Sequence, residues 1–310
     1  MSKTQVKHII YLLAGILLCL SLTQWIFIRE MKSVKVDTIG KINAVMNHQL
    51  NSKLTIWGAS TALLNFNPKL ISDSLNITAF NMGIDGTNID QYNGLLKEYI
   101  SFSKNSEYIV IVIDIIESLE KRNKLYELHN WIHHIDNDNI YNCLSDIDYY
   151  TMFKARYIPF YSITLFDKHA FPYFIKEIKN PYDKYTFTNL GFEPDNTTKE
   201  YIGTTLPKIN YDIQVCNKLK SSCSLAIKNK IKPIVVVTPC FYKALEKIEN
   251  KNEFWELINS LKNEGIIVYD FLDSPFSHDS TNFRDNTHMN SVGADKLTNM
   301  FIQRFKKSSL

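Results

Sequence analysis

The sequence lacks the features of a nucleic-acid-binding protein. Its 35 basic and 32 acidic residues leave a formal net charge of only +3, and residues of the two signs alternate along the chain. There is no long Lys/Arg block, no nucleic-acid motif and no low-complexity tract. We therefore expect no nucleic-acid partner. With 310 residues, the chain is long enough for one large domain or two small ones.

Cysteine is scarce, and no pair of cysteines has the spacing of a metal site. Cys19 lies inside an apolar run, which leaves four residues that could form two disulfides if the chain is exported. Cys216 and Cys223 are seven positions apart, so a helix would place them two turns apart, too far for an easy bridge. Buried free thiols are the favoured interpretation. The five cysteines are Cys19, Cys143, Cys216, Cys223 and Cys240.

Three clustered histidines also lack the partners of a known metal motif. The spacing of His129 and His133 would place both on one helix face, as in some metal sites, and His134 follows directly. No HExxH pattern and no nearby cysteine accompanies them. Surface or packing positions are therefore the favoured interpretation, and we expect neither a metal nor another cofactor.

The N-terminal region departs from the pattern of a soluble protein. From Ile9 to Ile28 no charged residue occurs, which is long enough to cross a bilayer as a helix, and Trp25 fits the interfacial preference of aromatics. A cleaved signal peptide and a buried helix are alternatives, but no small-x-small cleavage site follows. We predict a membrane anchor over residues 1–30 and a stalk or first helix over 31–51. Basic residues flank the anchor almost equally, and export of the main domain is the simpler arrangement.

Beyond residue 51, short apolar runs alternate with helical patterns. Continuous β-branched runs such as Tyr108–Ile113 are typical of strands buried on both faces of a parallel sheet. The alternation predicts an α/β domain over residues 52–310 with a mostly parallel sheet, interrupted by an aromatic-rich insertion at about 120–205. The predicted strands are Leu54–Trp57, Ile77–Asn81, Tyr108–Ile113, Ile231–Thr238 and Ile266–Phe271. The predicted helices lie within 61–74, 89–101, 210–229, 253–263 and 291–305.

Two distant stretches carry residues suited to nucleophilic catalysis. Ser60 follows the first predicted strand in Gly58-Ala59-Ser60, where small residues allow a sharp turn that would expose its hydroxyl. His288 follows Asp285 by three positions in a polar loop before the last helix. A serine becomes a nucleophile when a histidine takes its proton and a carboxylate orients that histidine. A helix cap at Ser60 and a solvated loop histidine are the alternative interpretations.

Taken in chain order, these residues resemble the sequence blocks of the SGNH/GDSL hydrolase superfamily. The blocks are Gly58-Ala59-Ser60, then Asn81-Met82-Gly83-Ile84-Asp85-Gly86-Thr87, then Asp285-Asn286-Thr287-His288. The resemblance spans about Leu54 to Phe305 and implies a three-layer, flavodoxin-like α/β fold. It also implies Ser60 as nucleophile, His288 as general base and Asp285 as its orienting acid. The backbone N–H groups of Ser60 and Gly86 would form the oxyanion hole.

The sequence departs from the family pattern at two places. Ala59 replaces the acid of the first block, a group that transfers no proton. The third block, G-x-N-D in the family, should follow Tyr108–Ile113, but Asp114-Ile115-Ile116-Glu117-Ser118 stands there without an asparagine. Loss of one oxyanion donor costs about 100- to 1000-fold in rate. We expect Asp114, and Asn81 of the second block, to lie on the substrate side of the site.

A membrane anchor combined with altered second and third blocks is similar to the envelope O-acyltransferases of this superfamily. The resemblance implies transfer or hydrolysis of acyl esters of cell-envelope carbohydrate through an acyl-serine, outside the cytoplasm. The partners it implies are the membrane, a carbohydrate or polyol acceptor and a membrane protein that delivers the acyl donor. A non-catalytic scaffold in polysaccharide assembly and a secreted lipase-like hydrolase are the alternatives.

Overall fold

The computed structural model describes residues 2–198 and 208–308, which form two compact units. Unit 1 joins the chain up to Asn47 with Lys124–Thr186, and unit 2 joins His48–Asn123 with the chain from Phe187 onward. The sequence pattern does not indicate that the N-terminal segment and residues 124–186 belong together. The end of the predicted insertion, 199–205, lies outside the described residues.

The described residues contain five strands and twelve α-helices. In unit 1 the helices are α1 Lys3–Met31, α2 Asp37–Met46, α6 Asp138–Ser145, α7 Tyr149–Tyr157 and α8 Phe171–Lys179. In unit 2 the helices are α3 Ser60–Asn65, α4 Pro68–Leu75, α5 Ile89–Phe102, α9 Ile213–Lys228, α10 Tyr242–Lys247, α11 Lys251–Asn263 and α12 Ser291–Ser308. The strands, all in unit 2, are β1 Leu54–Trp57, β2 Ala79–Asn81, β3 Tyr108–Ile113, β4 Lys232–Val237 and β5 Ile267–Asp270.

Unit 2 is an α/β domain whose five strands form one all-parallel sheet, as the sequence predicts. The strand order is β2-β1-β3-β4-β5, the order of flavodoxin-like doubly wound sheets. Leu54 pairs with Ala79 on one side and with Tyr108 on the other, so β1 is central. In such sheets ligands bind beyond the carboxyl ends of the strands where the order reverses, here between β1 and β3.

Helices cover both faces of this sheet. Alternate side chains of β1, β3 and β4, such as Ile56 and Val110, pack with residues of α3, α4 and α12 in one buried cluster. On the opposite face Trp57 contacts Tyr99 of α5, with ring centroids 5.3 Å apart. Burial on both faces explains why the central strands are continuous apolar runs and were recognisable in the sequence.

Unit 1 is helical, and its first helix is long and apolar enough to cross a membrane. At about 1.5 Å per residue, the 29 residues of α1 extend roughly 44 Å. Its most apolar 18-residue window is entirely unburied, which does not fit a core helix. Within the part of the chain that the structure describes, α1 packs through its last turns, where Phe27 stacks on Phe174 of α8 at 4.5 Å and lies edge-on to Phe166. Residues 37–46 of the predicted stalk or first helix form the largely buried helix α2.

The cysteines outside α1 are buried and unbonded to one another, as favoured from the sequence. Cys143 lies in α6 of unit 1, whereas Cys216 and Cys223 of α9 and Cys240 lie in unit 2. Burial raises the pKa of Cys223 and of Cys240 to about 12. These thiols therefore stay protonated and act as small apolar side chains.

Candidate active site

The turn after β1 places Ser60 at the carboxyl edge of the sheet. Ser60 is the first residue of α3, with Ala59 as the residue that caps it. A Cβ at Gly58 would lie 2.7 Å from the Ala62 methyl carbon and 2.9 Å from the Val112 carbonyl oxygen. Only glycine therefore allows β1 and α3 to approach so closely at this turn.

The loop before α12 folds into a tight turn around the Asp285 carboxylate. This carboxylate accepts hydrogen bonds from the backbone N–H of Thr287 at 3.1 Å and of His288 at 2.9 Å. The Arg284 N–H in turn donates to the His288 carbonyl at 2.9 Å. The three-residue spacing of acid and histidine thus closes one turn and brings their side chains together.

Ser60, His288 and Asp285 form one continuous hydrogen-bonded chain. The His288 Nε2 lies 2.6 Å from the Ser60 Oγ, and its Nδ1 lies 2.9 Å from each Asp285 carboxylate oxygen. A carboxylate can only accept, so the proton belongs on Nδ1, and Nε2 is left to accept the serine proton. The side chains of His288 and Asp285 are 23% and 45% exposed, so reactants can reach the group.

The pair of charges shifts both pKa values. Burial lowers the pKa of His288, but the hydrogen bond and charge of Asp285, with a smaller effect of Asp114, outweigh it and raise the pKa above the ordinary value. Burial raises the pKa of Asp285, but its bonds to His288 and the charge of that ring reduce it to about 2. Asp285 is therefore ionised, and the imidazolium that forms during proton transfer is stabilised.

This shift predicts the pH dependence of any reaction that uses His288 as a base. The base must be neutral, and its folded pKa is raised, so activity should increase with pH and reach half its maximum above the ordinary histidine value of about 6.5. The rate of ester hydrolysis measured from pH 5 to 9 checks this. A midpoint clearly below 6.5 would contradict the assignment. The variant His278→Ala, which removes a second Asp-paired histidine (His278–Asp273), should leave the profile unchanged.

The second sequence block is attached to the serine turn through its backbone and through Asn81. The Ile84 N–H donates to the Gly58 carbonyl at 3.0 Å. The buried Asn81 amide donates to the Ala62 and Phe66 carbonyls of the α3 region, and its oxygen accepts from the Gly83 N–H. Asn81, expected on the substrate side, is thus engaged in holding α3.

The N–H groups predicted for the oxyanion hole differ in their present partners. Gly86 donates its N–H to the Asp85 carboxylate at 2.9 Å. Among the described residues, the Ser60 N–H has no hydrogen-bond acceptor. Only the Ser60 donor is therefore immediately available to a developing oxyanion, and Gly86 would have to exchange the Asp85 oxygen for it.

Asp114, also expected on the substrate side, is buried in the turn after β3. One carboxylate oxygen accepts from the N–H groups of Ile116 and Glu117, and the other accepts from the Ser118 hydroxyl at 2.5 Å. Asp114 therefore closes this turn much as Asp285 closes the histidine turn. Asp114 acts on the candidate site in two ways: its carboxylate accepts from the hydroxyl of Thr61, the residue after Ser60, at 3.5 Å, and its charge raises the pKa of His288.

The structure adds a residue that the sequence did not reveal, Asn65 at the end of α3. Its amide donates to the Thr287 carbonyl at 2.9 Å, and its oxygen accepts from the Met289 N–H at 2.8 Å. These bonds hold the residues on either side of His288 to the helix that begins with Ser60. The available signal was an asparagine within the apolar stretch Ala62–Phe66, five positions after the serine.

Replacing Asn65 with alanine should separate positioning from chemistry. The change leaves two buried backbone groups unpaired, which costs about 1–3 kcal/mol in the free energy of unfolding. Because His288 loses its tether, kcat per folded molecule should also fall by about tenfold or more. The buried Asn250, which clamps both backbone groups of Ile209 in the same way, provides the matched control.

Urea unfolding and turnover of an activated ester would be measured on both variants. Asn250→Ala should lose stability but keep kcat per folded molecule. If Asn65→Ala also keeps it, Asn65 has only a structural role.

The clustered histidines lie in unit 1 and do not share one helix face. His129 is in the 3-10 turn Leu128–Asn130, while His133 and His134 are in the next, Ile132–His134. Within residues 2–198 and 208–308, no group of three His, Cys, Asp or Glu side chains is arranged to hold a metal ion.

Comparison with known proteins adds no family assignment. No protein-family model matches the chain, and no curated protein matches it. The function is therefore inferred from the geometry of the site.

Proposed function

We propose that unit 2 is a membrane-anchored SGNH-type domain that hydrolyses or transfers acyl esters through Ser60. The main observation behind the proposal is the hydrogen-bonded chain from Ser60 through His288 to Asp285. In it the Ser60 Oγ lies 2.6 Å from His288 Nε2, and His288 Nδ1 lies 2.9 Å from the Asp285 carboxylate. The strand order and the position of Ser60 at the reversal point between β1 and β3 support it. The three sequence blocks that resemble this superfamily supply the rest of the argument.

The residues present account for both halves of an acyl transfer. Ser60 Oγ attacks the acyl carbonyl carbon while its proton passes to His288 Nε2, and Asp285 stabilises the imidazolium. Collapse of the tetrahedral oxyanion breaks the ester bond, and the leaving alcohol takes the proton from His288. A second hydroxyl, or water, then attacks the acyl-serine and delivers its own proton to the same nitrogen. Collapse of this second tetrahedral oxyanion breaks the bond between the acyl carbon and Ser60 Oγ, and His288 returns the proton to the serine.

The surroundings of Ser60 favour modest hydrolytic power. The turn after β3 contains Ile116 and Glu117 and no asparagine that could donate to the oxyanion. The Gly86 N–H is bonded to the Asp85 carboxylate. With one donor absent and another engaged, the oxyanion is less stabilised than in an efficient hydrolase. A weaker oxyanion hole slows attack by water and by a bound hydroxyl alike, so it argues only against a fast esterase. The hydroxyl acceptor of the carbohydrate or polyol class is proposed from the resemblance to the envelope O-acyltransferases.

The N-terminal helix favours action at a membrane. A span near the N-terminus would hold the domain close to a membrane donor of acyl groups, and we place the domain outside the cytoplasm, where envelope carbohydrate occurs. Within the proposed mechanism, Ser60, His288 and Asp285 need no metal or nucleotide.

Covalent labelling with a fluorophosphonate tests the proposal. Ser60 Oγ should attack the phosphorus, fluoride should leave, and a stable phosphonyl-serine should form on the folded chain. Intact-mass measurement should show one adduct on wild type, and peptide mapping should locate it at Ser60. Ser60→Ala should remove the adduct and His288→Ala should slow its formation at least 1000-fold, the order of effect expected for loss of the base.

The exposed Ser101 of α5 supplies a matched control, because Ser101→Ala should label like wild type. Folded wild type that forms no adduct would contradict the proposal. That result would favour a non-catalytic scaffold. This alternative is supported by the bond from the Gly86 N–H to Asp85, which keeps that donor from an oxyanion.

A further inference from the structure

Unit 1 contains a cavity of about 500 Å³ beside the last third of α1. One wall is the helix itself and the other is formed by residues 133–136 and 155–159. Apolar and cationic side chains both line it, namely Trp25, Ile28, Arg29, Lys32, Arg156 and Ile158. Such a lining suits an amphiphile with an anionic end.

The cations exceed the carboxylates around this cavity. Among its described lining residues, three are cationic and Asp136, paired with Lys32 at 2.7 Å, is the one carboxylate. Arg29 is bonded to Glu30, and Arg156 to the exposed Asp138 at 2.7 Å. A guanidinium has five N–H donors, so both arginines can also bind a phosphate.

A buried histidine offers an acceptor beside these cations. The ring nitrogens Nε2 of His133 and His134 both bond to the Asn43 oxygen, at 2.9 and 2.7 Å. The Asn43 amide donates to two backbone carbonyls, so its oxygen is the acceptor and both Nε2 atoms carry protons. His133 Nδ1 then holds a lone pair and has no partner among the described residues, but it has almost no accessible surface, so a ligand reaches it only when the ring or a neighbouring side chain moves.

A hydroxyl donor would satisfy this nitrogen. Burial, with the nearby His134 and Lys32, holds the pKa of His133 well below its ordinary value, so the ring remains a neutral acceptor. An unsatisfied buried acceptor is destabilising, and a hydroxyl bound to it would offset that cost.

The helix α7, which supplies part of the cavity lining, and the helix α8 both carry exposed apolar side chains. In α7 the exposed side chains Tyr149, Tyr150, Phe153 and Tyr157 follow a helical repeat, and so do Phe171, Ile175 and Ile178 of α8. The α8 helix packs on α1 through Phe27. Aromatic side chains at the end of a spanning helix mark the level of lipid head groups.

We propose that this cavity binds the head group of an anionic phospholipid with free hydroxyls, of the phosphatidylglycerol type. The phosphate lies between Arg29 and Arg156, a glycerol hydroxyl donates to His133 Nδ1, and the acyl chains follow Trp25 and Ile28. The site depends on α1 lying in a membrane and is independent of the proposed acyl transfer.

Calorimetric titration of the full chain in an uncharged detergent tests the proposal. Short-chain phosphatidylglycerol should bind at least about tenfold more tightly than phosphatidylcholine of the same length. The double variant Arg29→Gln/Arg156→Gln should lose this preference. Arg304→Gln, which changes an α12 arginine above the Tyr269 ring, is the matched control and should retain it.

Phosphatidylmethanol, which has the same charge but no head-group hydroxyl, tests the role of His133 and should bind several-fold more weakly. Equal binding of the glycerol and choline lipids by wild type would overturn the proposal. So would an unchanged preference in the double variant, or displacement of the lipid by equimolar inorganic phosphate. Equal binding of the glycerol and methanol lipids would overturn the His133 contact.

Discussion

Replacing Ser60 with alanine is expected to lower the turnover of an activated acyl ester by about 10⁴- to 10⁶-fold. The reason is that the Ser60 Oγ at 2.6 Å from His288 Nε2 would be the atom that bonds to the acyl carbon. Without it, the remaining donors can only favour direct attack by water. The rate is measured on the plateau of the wild-type pH profile, where His288 is the neutral base.

The variant His288→Ala should lower the turnover of the same ester by a similar factor. The double variant Ser60→Ala/His288→Ala should be no slower than either single variant. Residues that act as one unit give such non-additive losses. His278→Ala is the matched control, since it removes a histidine that is also paired with an aspartate but whose Nε2 bonds to that aspartate and not to Ser60. Independent, additive losses would contradict a shared mechanism.

Replacing Asp285 with asparagine is expected to lower kcat by about 10³- to 10⁴-fold. The amide keeps the size of the side chain but removes the charge that raises the pKa of His288. The pH midpoint of the remaining activity should therefore move to lower pH, because the base now loses its proton more readily. An amide N–H facing Nδ1 would also favour the wrong tautomer.

The control is Asp273→Asn, which changes a surface pair in which the Asp273 carboxylate lies 2.9 Å from His278 Nε2. That variant should change neither kcat nor the pH midpoint. If Asp285→Asn lowers kcat without moving the midpoint, Asp285 orients His288 without setting its charge. An unchanged kcat would remove Asp285 from the mechanism.

The sheet was predictable because its signals are local. Strands buried on both faces are apolar, so β3 is an uninterrupted apolar run and β4 is one from Pro233 onward. The boundaries of both strands agree with the prediction to within one residue. β2 is shorter than predicted, since Ile77 and Thr78 precede the paired residues Ala79–Asn81. Pairing depends on the neighbouring strand, which the local sequence does not specify.

The candidate site was predictable only in part. Asp285 and His288 are three positions apart, so their contact follows from one turn of chain. The backbone hydrogen bonds of Asn81 and Asp114 were not predicted, because a buried polar side chain bonds to whichever backbone groups the fold leaves unpaired. For the same reason the role of Asn65, which bonds on both sides of His288, was invisible in the sequence.

The sequence by itself determined the apolar N-terminal helix, the parallel α/β sheet and the residue types of a serine site. Each of these depends on composition or periodicity over a short stretch. Only the tertiary structure decided that Ser60 and His288, 228 positions apart, meet at 2.6 Å. It also decided that residues 124–186 join the N-terminal segment in unit 1. Both outcomes depend on long-range packing and hydrogen bonds, whose partners cannot be deduced from local patterns.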